Sequence, residues 1–257
     1  MDLFHVVPYW YWEENKGCRK LAEASEIRKH SAVALHLIGS EWILDKSPFV
    51  PGVSLNMFYT LIERYCPAYI IIPDALQDHA KTCDLFFNFF RSFDPKKCRV
   101  RPIFIPMIQG KTHSRRFDMI QFFIRNLSDK LDHIRLGIPK YMVDIKKATP
   151  KEMATTRIKF VAEVRTAHPS FEIHCAGANS VAEINALRGL GVTSLDTSIG
   201  VKIIQELCIE GKYWTTKNIP REKIMSFEPC VKMKNSLSLP QQYVVQLSNI
   251  IQLLEVI

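Results

Sequence analysis

The chain lacks any run approaching the roughly 18 apolar residues of a membrane-spanning helix, so no membrane partner is expected. Its first residues, MDLFHVVPYWYWEEN, have neither a basic leader nor a small-residue cleavage site, which sets aside a secretory signal. Paired cysteines are also missing. The seven cysteines, at 18, 66, 83, 98, 175, 208 and 230, are odd in number, scattered and without a C-x-x-C pair. That excludes a disulfide framework and a zinc cluster of ordinary spacing, and predicts reduced, mostly buried thiols in a cytoplasmic protein. There is no H-x-H and no H-E-x-x-H, so transition-metal chemistry has no evident ligands, and neither metal nor cofactor is expected. Fixed-length repeats, low-complexity segments and a glycine-rich dinucleotide fingerprint are absent too.

What is present is 257 residues, 47% of them hydrophobic, ample for one large core, and a net charge of +8 that favours a polyanionic partner. Along the chain, strand-like and helix-like segments alternate. AVALHLIG (32–39) and EWILD (41–45) read as strands, and SLNMFYTLIERYC (54–66) as a helix leading into the strand AYIIIPD (68–74). A helix over 75–93 precedes the strand RVRPIFIPMIQG (99–110), and a helix over 114–131 precedes HIRLGIP (133–139). The helix over 149–168 opens with a Thr cap and Pro at its first position and leads into FEIHCAG (171–177). Finally SVAEINALRGLG (180–191) runs into GVTSLDTSIG (191–200), a strand that ends on Asp196.

This alternation predicts βαβ units around a parallel sheet. Six or seven such units, without a dinucleotide fingerprint, predict an α/β fold of the (β/α)8 TIM-like barrel type, which typically takes about 250 residues. We read one domain, with the barrel over 1–214 and a basic C-terminal extension over 215–257. The extension ends in an apolar helix that either packs on the barrel or forms a partner surface.

Side-chain alternation assigns faces. Ile134, Leu136 and Ile138 oppose His133, Arg135 and Gly137, while Phe171, Ile173 and Cys175 oppose Glu172, His174 and Ala176. Apolar faces suit packing against helices, so the barrel interior is expected to hold Arg135, Glu172, His174 and also His36. Buried opposite charges should pair, which predicts an Arg135–Glu172 bond and a hydrogen-bonded interior role for His174.

In a parallel barrel the reactive end is the C-terminal rim of the strands. Read in order, those ends are Asp45, Asp74, Gln109-Gly110, Gly137, Gly177 and Asp196. Asp, Thr and Ser after a strand are equally good helix caps, so Asp196 carries two readings, cap or catalyst. Glycine lets a flat ligand approach the backbone, and a carboxylate beside an amide matches the donor and acceptor edge of a purine-like base. The remaining carboxylates could divide nucleophilic and proton-transfer work. A magnesium site built from Asp45, Asp74 and Asp196 is the competing arrangement. The loops leaving this rim are basic. Lys111, Arg115 and Arg116 follow Gln109, and Lys146 and Lys147 follow the strand containing Gly137. Cations at a helix start oppose its dipole, which makes sense if phosphates sit above the barrel mouth.

At these residues the chain resembles the tRNA-guanine transglycosylase superfamily, and most closely its shorter phage and bacterial branch, the DpdA-type proteins that insert 7-deazaguanine bases into DNA. HCAGANSVAEINALRGLGVTSLDTS resembles the family segment whose strand ends in the nucleophilic Asp, here Asp196. YIIIPDALQD is similar to the strand whose terminal Asp recognises the base, PMIQG to the V-Q-G stretch, IRLGIP to the next glycine-bearing strand, and EWILDKS to the strand ending in the other catalytic Asp. The likeness covers roughly residues 30 to 205. LDKSPF lacks the glycines usual after that acid, DTSIGV lacks the usual arginine, and the zinc-binding Cys/His cluster of the tRNA enzymes is missing, which favours the DNA branch.

The resemblance implies a glycosyltransferase that exchanges guanine for a 7-deazaguanine base in DNA through a covalent Asp196–nucleotide intermediate, without a cofactor. Asp45 is the implied proton shuttle, with Asp74, Gln109, Gly110 and Gly137 at the base. If the gene is phage-borne, the host cytoplasm is the place of action. The rival readings are the same chemistry on tRNA, a metal-dependent barrel hydrolase, and a non-catalytic partner subunit; homodimeric and heteromeric arrangements both stay open.

Overall fold

The first strand lies where the sequence pattern gave no warning of one. In the computed structural model Asp2–Val6 forms β1, and a short helix α1 (Tyr11–Glu14) leads to β2 (Lys20–Glu23). The structure describes residues 1–9, 11–14, 18–46, 53–94, 97–99, 101–127, 133–143, 148–209, 219–227 and 241–256. Helix α2 (Ala24–Lys29) and a 3₁₀ turn (Val33–Leu37) precede β3 (Trp42–Asp45). The expected strand at 32–39 is therefore wrong. Its apolar residues serve one turn of helix whose Ala34 and Leu37 are buried, and His36 lies on that turn, partly exposed, rather than in the barrel interior.

From there the expected alternation holds. It runs α3 (Leu55–Tyr65), β4 (Tyr69–Ile71), α4 (His79–Ser92), β5 (Ile103–Ile105), α5 (His113–Leu127), β6 (Leu136–Ile138), α6 (Pro150–Ala167), β7 (Ile173–Ala178), α7 (Val181–Gly189) and β8 (Ser194–Thr197). Side-chain caps set the helix starts: Ser54, Asp78, Thr149 and Ser180 each accept a backbone N–H three residues on. At Thr149 this becomes a full capping box with Glu152, and Pro150 supplies the preset φ. Helix α8 (Ile199–Ile203) passes into a π-helical turn (Ile204–Ile209), and α9 (Arg221–Met225) and α10 (Val244–Val256) complete the described elements.

All strand pairs are parallel, and the sheet runs β5-β4-β3-β2-β1-β8-β7-β6. Its two outer strands meet at the bridges Phe104–Ile134 and Met107–Gly137. Arg135 N donates to Phe104 O (3.0 Å), Gly137 N to Pro106 O (2.9 Å) and Ile108 N to Gly137 O (2.7 Å). The eight strands thus form an almost closed (β/α)8 barrel of the TIM type. Gly137 is what lets the seam close, because a Cβ there would stand 2.4 Å from Met107 Sδ and 3.0 Å from Pro106 O.

Inward-facing Phe4, Leu21, Ile43, Tyr69, Ile71, Ile105 and Met107 fill the barrel, and the outward faces join the helices in one larger core. Below that plug, at the N-terminal ends of the strands, charges close the floor. Arg135 donates to Glu172 (2.7 Å) and Asp2 (3.1 Å) and lies over the Tyr69 ring, while Arg19 reaches Glu41 (2.6 Å) and Asp2 (3.6 Å). The expected Arg135–Glu172 pair is present, although Glu172 is half exposed at the floor rather than interior. Helix α10 buries Leu247, Ile250, Ile251 and Leu254 in the same core as the barrel, with Gly200 of α8 facing them. None of the helices among the described residues is long and apolar enough to cross a membrane.

Candidate active site

A cavity of about 220 Å³ opens at the C-terminal end of the barrel. Asp45, Asp74, Gln109 and Asp196 all line it, joined by Glu23, Met107, Lys140, Tyr141 and Gly177. The barrel brings together residues more than 150 positions apart because each lies near or just beyond the C-terminal end of a strand of the same ring.

Asp196 is held on both oxygens. Its Oδ1 accepts the backbone N–H of Gly177 (2.8 Å), and its Oδ2 lies 3.2 Å from His174 Nε2. His174 is fully buried, and its other ring nitrogen, Nδ1, lies 3.0 Å from Ser194 Oγ. The Gly177 N–H is aimed by its φ of +66°, a left-handed value that glycine adopts readily. Behind it Arg157 donates to the carbonyls of Ala176 and Gly177 and pairs with Glu183, both side chains 1% exposed. Glu183 in turn accepts from Asn179 N (2.7 Å), so the whole β7–α7 turn is pinned from beneath.

The capping reading for Asp196 does not match this geometry. The N-cap position of α8 is Ser198, and both carboxylate oxygens of Asp196 are directed at β7.

Across the mouth, Gln109 Nε2 donates to Asp74 Oδ2 at 2.5 Å, and Gln109 Oε1 accepts from Gln77 N at 2.8 Å. Gln77 takes a left-handed φ of +56° and donates its own amide to Val143 O, tying the β4 and β6 loops together. Burial pushes the Asp74 carboxyl up to about 6, against the opposing pull of the Gln109 amide and the Lys46 charge. Lys140 moves the other way. Burial, together with Lys202 and Arg157, brings its ammonium down to about 8, while Asp196 and Glu183 pull it back up. Its stem packs over Gly177, where a Cβ would meet Lys140 Cδ at 3.0 Å.

Two expected base contacts fall elsewhere. Gly137 has both backbone groups committed to the β5–β6 seam, and its Cα faces Met107, so it closes the barrel instead of presenting backbone to a ligand. Gly110 lies outside the cavity lining, packed against the start of α5, and its carbonyl accepts from Arg116 Nε (3.0 Å).

Among the basic residues, Lys111 and Arg115 are exposed, whereas Arg116 is buried. Its guanidinium donates to the carbonyls of Gly110, Lys111 and Met142, joining two rim loops, so it is not presented to a phosphate. Lys146 and Lys147 lie outside the described residues.

Lys140, Glu23 and Tyr141 were not singled out from sequence. Lys140 directly follows the strand-end IRLGIP, and that position was its one available signal.

No protein-family model and no curated protein matches the chain. Among solved structures it is similar to a glycerol uptake operon antiterminator regulatory protein from Listeria monocytogenes strain 4b F2365. That similarity has 9% identity and a TM-score of 0.43 over 77% of this chain and 91% of that one. Likeness at that level carries no argument about activity.

Proposed function

We propose that the barrel mouth is the active site of a transglycosylase that exchanges guanine for a 7-deazaguanine base in DNA. The observation that carries this reading is a single cavity with an oriented carboxylate, Asp196, on one wall and the Asp74–Gln109 pair on the other. Guanine offers two adjacent donors, N1–H and the 2-amino group, which a carboxylate accepts together, and one acceptor, O6, which is complementary to the second amide hydrogen of Gln109. The cavity is smaller than the about 300–1,000 Å³ of sites for drug-sized ligands. That suits a base, with C1′ at the Asp196 wall and the phosphates left outside the rim.

In the first step an Asp196 oxygen attacks C1′, the C1′–N9 bond breaks, and guanine leaves with a proton supplied by Asp45. In the second, the incoming 7-deazaguanine returns a proton from N9 to Asp45 and attacks C1′, and the ester to Asp196 breaks. The carboxylate is regenerated and the configuration retained. Dividing one displacement into two lowers each barrier. The hydrogen bonds from Gly177 and His174 keep the attacking group aimed, and Lys140 lines the same cavity. In duplex DNA the target must first leave the stack, at a cost of a few kcal/mol, which backbone contacts from Lys111 and Arg115 offset.

The test is incubation of the full chain with guanine-containing DNA, or separately tRNA, and a 7-deazaguanine base, followed by mass spectrometry of the digested nucleosides. Modified deoxyguanosine that is absent with Asp196→Ala is the expected result. Exchange confined to tRNA would keep the chemistry and overturn the DNA assignment. Absence of exchange in both, with folded protein, would overturn the reading, and Mg²⁺-dependent hydrolysis lost on chelation would replace it.

A further inference from the structure

Outside the residues that line the mouth cavity, three residues from the two ends of the chain converge. His5 of β1, Cys18 just before β2 and Glu255 in the last turn of α10 place one ligand atom each within 4.8 Å of one another. His5 and Cys18 are buried, and Glu255 is exposed at the edge. The His5 Nε2 atom is buried without a hydrogen-bond partner. Its nearest acid, Glu255 Oε1, is 3.8 Å away, beyond hydrogen-bond reach. An orphaned buried imidazole nitrogen is costly, and here it points at a thiol and a carboxylate.

We propose that His5, Cys18 and Glu255 form a binding site for one zinc-class divalent ion. Imidazole, thiolate and carboxylate are the three side-chain ligand types of zinc. Ligand atoms around tetrahedral zinc stand about 3.4–3.6 Å apart by the usual bond lengths. The His5–Glu255 separation of 3.8 Å is already close to that spacing, and the exposed Glu255 side chain can adjust toward the two buried ligands. On binding, the Cys18 thiol releases its proton to solvent and the sulfur donates to the metal. Thiolate and carboxylate cancel the charge of the ion, so the site is neutral even though Lys20, the cross-strand partner of His5, shares its face. The fourth position faces the exposed edge at Glu255 and takes water.

The consequence is mechanical. The ion joins the first two strands to the C-terminal helix, adding to the packing of that helix, the His5–Glu255 approach (3.8 Å) and the neighbouring Tyr11–Ser248 hydrogen bond (2.9 Å). Metal binding to a folded site of this kind adds directly to stability. No spacing motif could reveal it, because the ligands are spread over nearly the whole chain.

Equilibrium dialysis of the full-length protein against Zn²⁺, with elemental analysis, measures uptake, and Co²⁺ absorption reports thiolate ligation. The expected result is one ion per chain, a sulfur-to-cobalt charge-transfer band that Cys18→Ser abolishes, and affinity weakened about tenfold or more in Glu255→Gln with unchanged circular dichroism. Because Glu255 is exposed, that variant decides the matter if Cys18→Ser does not fold. Failure of the wild-type chain to take up the metal, or uptake equal to wild type in the folded variants, overturns the site.

Discussion

His174 stands between Asp196 and Ser194, with Nε2 3.2 Å from the carboxylate and Nδ1 3.0 Å from the hydroxyl. The three form a buried chain in which the histidine has no access to substrate and acts only through the aspartate. His174→Phe should therefore lower kcat while leaving KM for the base within about twofold, because aim is lost and the Asp74 side of the cavity is untouched. Asp196→Asn should abolish exchange with the fold intact by circular dichroism. A His174→Phe variant with full kcat would remove the positioning role.

Asp74 and Lys140 bracket the working pH. In the proposed exchange Asp74, pushed up to about 6, must be ionised to accept the donors of guanine, and Lys140, brought down to about 8, must be protonated to supply the positive charge of the site. Activity should follow a bell between those values. A rate profile of Asp74→Asn should lack the acid limb, and one of Lys140→Arg should have its alkaline limb moved upward. A flat profile in the unmodified protein would count against both assignments.

The same carboxyl affects stability in a predictable direction. Its folded value lies above its unfolded one, so its contribution is fully present at low pH and is lost as pH rises through about 6. Asp74→Asn, which replaces a buried charge with a neutral amide, should raise the melting temperature at pH 7 and change it little at pH 4. Thermal unfolding at the two values checks this, and the predicted gain in stability accompanies a loss of base binding.

Gly177 combines a left-handed backbone with contact to the Lys140 stem. Alanine there should cost about 1–2 kcal/mol from the backbone conformation alone and turn the N–H away from Asp196. Chemical denaturation and a kcat measurement together should show a larger fractional loss of activity than of stability.

Arg157 and Glu183 are a fully enclosed ion pair beneath that turn. Arg157→Leu leaves the buried Glu183 without its ion-pair partner, and breaking such a pair costs about 3–5 kcal/mol. A shift of the urea midpoint smaller than that of a surface Arg→Leu control would show that the pair is not structural.

Much of the barrel was legible because its later strands are apolar runs bounded by well-capped helices. Residues 68–74 contain the observed β4, 171–177 hold all but the last residue of β7, and Thr149-Pro150 marks the start of α6. The first two strands were hidden by their outward faces, since Lys20 and His5 sit buried under helices and break the apolar pattern. The false strand at 32–39 had the composition of one but only a single turn of chain to fill. At the site, Asp45, Asp74, Gln109 and Asp196 were readable as strand ends. Arg116 and Gly137 were misplaced because burial of a guanidinium by loop carbonyls and closure of a seam by a glycine are tertiary facts with no local signature. Lys140, one residue past the strand end of IRLGIP, has no local pattern that sets it apart from a solvated loop lysine.

The pairing of β1 with β8 has a consequence for synthesis. The strand translated first among those described finds one of its two neighbours only when Ser194–Thr197 emerges, so the barrel stays an open sheet with a bare edge for most of translation. Asp196 belongs to that late strand. The proposed nucleophile thus arrives together with the last pairing of the sheet, and a chain cut short anywhere before it has neither a sealed sheet nor Asp196. Such long-range pairing also slows folding and exposes strand edges meanwhile, so an N-terminal fragment ending before residue 190 is expected to aggregate while the longer chain remains dispersed.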